Sequence, residues 1–151
     1  MLSFKYPKLL ILIVGVLLSS FVHSEELCEK LISFSSNAST ERTLEVKLTN
    51  DWNTFSKSCE HNNTAEGKAF CEYLIKNTSS EFMALNLSRV LSCSGSVVNF
   101  GTASIDKING DLALHEVPQL DQDISIYISF SIGQEDVKDF LRIQAKYELL
   151  K

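Results

Sequence analysis

The stretch Ile124-Ser125-Ile126-Tyr127-Ile128-Ser129-Phe130-Ser131-Ile132 decides the fold class. Apolar residues occupy every second position, and Ser or Tyr fills the positions between. That period of two puts one greasy face and one polar face on a single strand, the pattern of a sheet buried on one side only. Downstream, Gly133-Gln134-Glu135-Asp136 turns the chain. Leu141, Ile143, Ala145, Tyr147 and Leu149 then alternate with Arg142, Gln144, Lys146 and Glu148, which predicts a second strand. Upstream, Val98 and Phe100 open a strand with a bulge at Gly101. Asn109-Gly110 reads as a hairpin turn. Leu112 to Val117 is its returning strand, stopped by Pro118. The C-terminal part is therefore expected to be a four-stranded antiparallel meander.

Before Gly95 the period lengthens. Leu27, Cys28, Leu31 and Ile32 fall at helical spacing behind Glu25 and Glu26, which suit the positive end of a first turn. Leu44, Val46 and Leu48 alternate with Glu45 and Lys47 in a short strand. Asn50 or Asp51 is placed to cap a helix carrying Trp52, Phe55 and Cys59. Thr64 is placed to cap another, with Ala69/Tyr73 and Phe70/Leu74 as i,i+4 pairs. Asn77-Thr78-Ser79-Ser80 breaks that helix. Ser79 or Ser80 then caps 81–93, where Met83, Leu87, Val90 and Leu91 share a face, and Gly95 stops it. The fold class is α+β, with N-terminal helices packed on the meander. This order of elements resembles that of cystatin-like and nuclear-transport-factor-like cone folds, a likeness of architecture that no motif carries and that implies no one function.

The first 24 residues are set apart from this domain. Lys5 and Lys8 precede an apolar run, Leu9 to Leu18, and Val22 and Ser24 suit the −3 and −1 positions of a cleavage site. This is the pattern of a secretory signal peptide. The run is shorter than the roughly 20 residues that span a bilayer. Cleavage leaves 25–151 as a single exported domain with no membrane span, periplasmic or, alternatively, secreted. It removes two lysines and no acid, so a net charge of −5 on 151 residues becomes −7 on 127.

An exported chain with four cysteines, Cys28, Cys59, Cys71 and Cys93, is expected to form two disulfides. Three pairings are open. Cys59–Cys71 with Cys28–Cys93 is favoured, the first closing a short loop between neighbouring helices, the second tying the first helix to the last. No pair has metal-site spacing, and no cofactor is expected.

Motifs for catalysis are missing from the chain: no G-x-S-x-G, no phosphate-binding loop, no H-E-x-x-H. His61 reads as a polar residue near a helix end, and His115 as an outward strand residue. The carboxylate pairs Asp121/Asp123 and Glu135/Asp136 sit in expected turns, where Asp is favoured for backbone reasons. A weak calcium site at Asp121-Gln122-Asp123 has too few ligands in view. Four Asn-x-Ser/Thr sequons begin at Asn37, Asn62, Asn77 and Asn86.

What remains is charge. Between Asp106 and Asp139 lie eight acids and only Lys107 and Lys138, so −6 of the −7 sits in the strand-rich part. A negative chain disfavours nucleic acid and favours steering of a basic protein partner. The expected function is non-catalytic: an inhibitor or immunity protein that blocks a toxin or cell-wall hydrolase. The candidate contact residues are Asp121, Asp123, Glu135, Asp136 and Lys138. The alternative is a small-ligand or enzyme-like domain with a helix–sheet pocket lined by Phe100, Ile126, Ile128 and Tyr147. A homodimer through a sheet edge, with 140–150 as the candidate edge, is also open.

Overall fold

The structure is a computed structural model that describes residues 25–51, 53–95, 107–134 and 138–148. It is α+β. Helix α1 (residues 25–35) is followed by β1 (Leu44–Asp51), β2 (Ser56–His61), α2 (Ala65–Asn77), α3 (Met83–Ser92), β3 (Ile108–Leu114), β4 (Ile124–Ile132) and β5 (Phe140–Tyr147). The five strands form one antiparallel sheet in the order β2-β1-β5-β4-β3.

The period-two strands form as expected, and register aligns their apolar faces. Leu44, Ala145 and Ile126 make one rung across β1, β5 and β4. Val46, Ile143 and Ile128 make the next, and Leu48, Leu141 and Phe130 the third. All nine are buried, and they pack with Leu27, Leu31 and Phe34 of α1, Phe70 and Leu74 of α2 and Met83, Leu87 and Val90 of α3 in one core. The helices cover this face because an antiparallel sheet needs only one face buried.

Five expectations are corrected. The sheet has five strands among the described residues where a four-stranded meander was expected, because β1 pairs beside β5 and brings β2 with it. The helix expected after Asn50/Asp51 is instead a hairpin. Asp51 ends β1, its carboxylate accepts a hydrogen bond from the Asn53 amide (3.0 Å), and β2 runs back in register with β1. Lys57, Cys59 and His61 alternate toward the helix side, so a period of two was present, masked by polar residues. The pair Asn109-Gly110 makes no turn. It lies within β3, where Gly110 faces Phe130 across the ladder. A Cβ at Gly110 would come within 3.2 Å of the Phe130 ring, so the glycine seats an aromatic ring and needs no positive φ. The returning strand ends at Leu114, while Val117 is buried in the following loop. Finally, β5 is no edge: it pairs with both β1 and β4, and β2 and β3 end the order. The strand expected at Val98 and Phe100 lies outside the described residues.

Both favoured disulfides are present. Cys28–Cys93 joins α1 to the C-terminal end of α3, with Cα atoms 5.2 Å apart. Cys59–Cys71, at 5.5 Å, ties β2 to α2 and not two helices, because Cys59 lies on a strand.

Local signals explain the helix ends. Thr64 Oγ1 accepts the Gly67 amide at 3.0 Å, as its position predicts. Thr64→Ala is expected to cost about 1 kcal/mol, measurable as a lower urea midpoint at unchanged slope. Ser79 Oγ accepts the amides of Glu81 (3.1 Å) and Phe82 (2.9 Å), just ahead of α3. Gly95 follows α3 at φ +76°, the left-handed stop that glycine adopts without strain.

Candidate functional site

Strand β4 separates two connections at opposite ends of the sheet. At about 3.3 Å per residue its nine residues hold them roughly 30 Å apart. The five candidate contact residues are therefore divided. Asp121 and Asp123 lie on the β3–β4 connection and Lys138 on the β4–β5 connection. Glu135 and Asp136 lie outside the described residues.

The β3–β4 connection is built by the backbone before any side chain acts. Val117 plugs into the core, the Leu120 amide bonds the Val117 carbonyl (3.1 Å), and the Ile124 amide bonds that of Asp121 (3.0 Å). Glu116 and Gln119 both take positive φ, 55° and 69°, an uncommon conformation for residues with a Cβ. Carboxylates then pin the loop to the sheet. Asp121 Oδ1 accepts the Asp123 amide at 3.1 Å, and Asp123 Oδ2 accepts the Tyr147 hydroxyl at 2.9 Å. The Asp123 carbonyl accepts the Glu148 amide at 2.6 Å. Tyr127 donates its hydroxyl to Glu148, and Lys146 lies over the Tyr127 ring, 4.5 Å from its centroid. His115 Nδ1 and Ser125 Oγ are 2.8 Å apart at the same end.

The electrostatics follow from these contacts. The Tyr127 hydroxyl holds the Glu148 carboxyl below its ordinary value, helped by Ser125, His115 and Lys146 and opposed by burial. Asp123 raises the Tyr147 phenol in the same way that Glu148 raises that of Tyr127. A carboxyl with a depressed folded pKa stabilises the fold above its unfolded pKa, and that contribution is lost as pH falls through the folded value. The same end carries Glu116 and Asp121 beside the tyrosine-bound Asp123 and Glu148, with Lys146 over the Tyr127 ring.

The β4–β5 end is different. Lys138 Nζ is 2.7 Å from Asp51 Oδ2, and this pairing lowers the Asp51 carboxyl. Asp139 is buried and accepts the Gly133 amide at 2.6 Å. Lys138 and Asp139 thus fasten this connection to β1 and to itself.

The alternative pocket residues Ile126 and Ile128 are fully buried in the core, and Phe100 lies outside the described residues. A groove of about 610 Å³ occurs elsewhere, between α1 and α2, where Phe34, Phe70 and Tyr73 lie under a rim of Glu26, Lys30 and Lys76. Among the described residues no three His, Cys, Asp or Glu side chains are grouped to hold a metal, and no helix is long and apolar enough to cross a membrane. Asn86 is 1% exposed and both ends of its amide bond Ser79, so this sequon has no room for a glycan.

Sequence reasoning marked the two aspartates but missed Tyr127, Tyr147 and Glu148, which fix the acidic end. The polar alternation of β4 and β5 placed Tyr127 and Glu148 facing out, and only strand pairing brought them together. Compared with family models, curated proteins and solved structures, the chain has no significant match. Fold and site together define a class: a disulfide-stapled α+β domain with one helix-covered sheet face and one carboxylate-rich end.

Proposed function

We propose that the chain is an exported, non-catalytic binding protein that blocks a basic protein partner, a toxin or a cell-wall hydrolase, through the β3–β4 connection. One observation carries this reading: at one end of the sheet, beside Glu116, the carboxylates of Asp121, Asp123 and Glu148 are held by the Asp123 amide and the hydroxyls of Tyr147 and Tyr127. Preorganised charge costs little ordering entropy on binding, and one-signed charge speeds encounter with a partner of opposite sign. Of the two acidic connections, this one is favoured because Lys138 and Asp139 at the other end already have internal partners. The two disulfides are compatible with an oxidising, exported compartment.

The test is inhibition and association kinetics against purified basic wall hydrolases and envelope toxins. Glu116→Gln, Asp121→Asn and Asp123→Asn keep hydrogen-bonding shape and remove charge. The triple variant is expected to associate at least tenfold more slowly at low salt and to lose most of the difference at high salt. Association unchanged by the variant, or no partner bound across the panel, would overturn the proposal.

A further inference from the structure

The opposite end of the molecule carries a surface that the reading above does not use. Lys57 Nζ donates to the Thr78 carbonyl at 2.6 Å, and Asn50 Nδ2 to the Ser79 carbonyl at 3.3 Å. These bonds stitch the β1–β2 turn to the corner between α2 and α3. Four of the five exposed large apolar side chains among the described residues lie at this junction: Phe55 (65% exposed) in the turn, Ile75 (38%) in the last turn of α2, Phe82 (56%) before α3, and Leu85 (42%) in its first turn. Phe55 holds φ +50°, a left-handed conformation that a bulky residue rarely adopts.

We propose that this apolar end is an isologous interface that joins two copies of the chain. Three observations select a second copy as the occupant. The first is area. At roughly 200 Å² for a whole aromatic side chain, the four residues present on the order of 400 Å². That matches the largest patch of a typical monomer and makes about half of the ~800 Å² that each partner gives to a standard interface. The second is the charge around the patch. Lys57, Lys76 and Lys138 stand with Asp51 and Glu81 at this end. Both signs are present, as a surface must have if it is to face its own copy, whereas a basic partner would meet the lysines unfavourably. The third is the position of the acidic end. Joining through the apolar ends keeps the two carboxylate ends about 60 Å apart, several times the ~8–10 Å screening length at physiological salt. The self-repulsion of an acidic chain is then small, and each dimer offers two acidic ends. The inference is independent of the partner proposed above.

The test uses protein purified after export with both disulfides formed, in sedimentation equilibrium across low to high micromolar concentration. The wild type is expected to pass from one-chain to two-chain mass. Phe55→Ser with Phe82→Ser should weaken self-association at least tenfold, with circular dichroism unchanged. Leu85→Lys, a single exposed change in α3, should do the same if the double variant folds poorly. Leu112→Ser, at the fifth exposed apolar residue on β3, should have no effect. A one-chain mass at every concentration overturns the proposal. So does a dimer that is lost with Leu112→Ser but kept in the apolar-end variants. Flotation of the one-chain wild type, but not of the double variant, with phosphatidylcholine vesicles would overturn it in favour of a lipid surface.

Discussion

Replacing Cys28 and Cys93 together by serine is expected to lower the free energy of unfolding by about 4 kcal/mol. The bridge spans 65 residues of sequence, so it removes a large share of the unfolded chain's freedom. It also ties α1 to the end of α3, and α1 otherwise depends on Leu27, Leu31 and Phe34 for its place in the core. The Cys59–Cys71 bridge closes 12 residues that β2 and α2 already hold, so opening it should cost less, about 3 kcal/mol or under. Urea unfolding of the two paired variants in parallel gives the comparison. Equal losses, or a larger loss for Cys59/Cys71, would contradict the placement of α1.

The second large effect is expected at Asn86. Its Oδ1 accepts the Ser79 amide at 2.9 Å and its Nδ2 donates to the Ser79 carbonyl at 2.8 Å, so a buried side chain replaces two backbone bonds between the helices. Asn50 sends a longer bond to the same carbonyl and has no partner for its own Oδ1. Asn86→Ala leaves the Ser79 amide buried and unpaired, and the expected cost is about 2–4 kcal/mol. Asn86→Asp keeps the acceptor, loses the donor and introduces a charge. Its deficit should exceed that of the alanine variant at neutral pH and shrink in acid, where the carboxyl is protonated. Equal, pH-independent melting of the two variants would refute this account of the corner. Because the corner carries Phe82 and Leu85, both variants should also weaken self-association.

Local chemistry was enough wherever an element is decided by its own residues. The alternation of β4 and β5, the Thr64 cap, the glycine after α3 and the amphipathic face of α3 were each legible. The cysteine pairing was favoured among three that the spacing left open, and the fold selects it. What was illegible depended on partners distant in sequence. In β2, Ser56-Lys57-Ser58-Cys59-Glu60-His61 contains no aliphatic residue, so its period of two carries little hydrophobic signal. It is a strand because β1 offers a ladder on one side and α2 a cover on one face. Asn109-Gly110 carries a strong hairpin signal, yet the register against β4 sets Gly110 beneath Phe130, and sheet pairing over seven residues outweighs one turn preference. Sequence placed β1 as an isolated strand and β5 at an edge. In the fold they are neighbours at the centre, since burying Leu44, Val46 and Leu48 requires a paired backbone on both sides.

The same division holds for the candidate site. Sequence alone determined that the chain is acidic, that its acids crowd into 106–139, that Asp121 and Asp123 sit in a turn, and that four cysteines form two staples. These are counts and short-range patterns, and they survive any arrangement of the elements. Only the tertiary structure decided that Tyr147 and Tyr127 clamp Asp123 and Glu148, that Lys138 is taken by Asp51, and that Phe55 and Phe82 share an end roughly 30 Å from the carboxylates. The physical reason is the antiparallel sheet. Its register chooses which side chains from remote segments become neighbours, and the length of its strands sets how far apart its two ends are held.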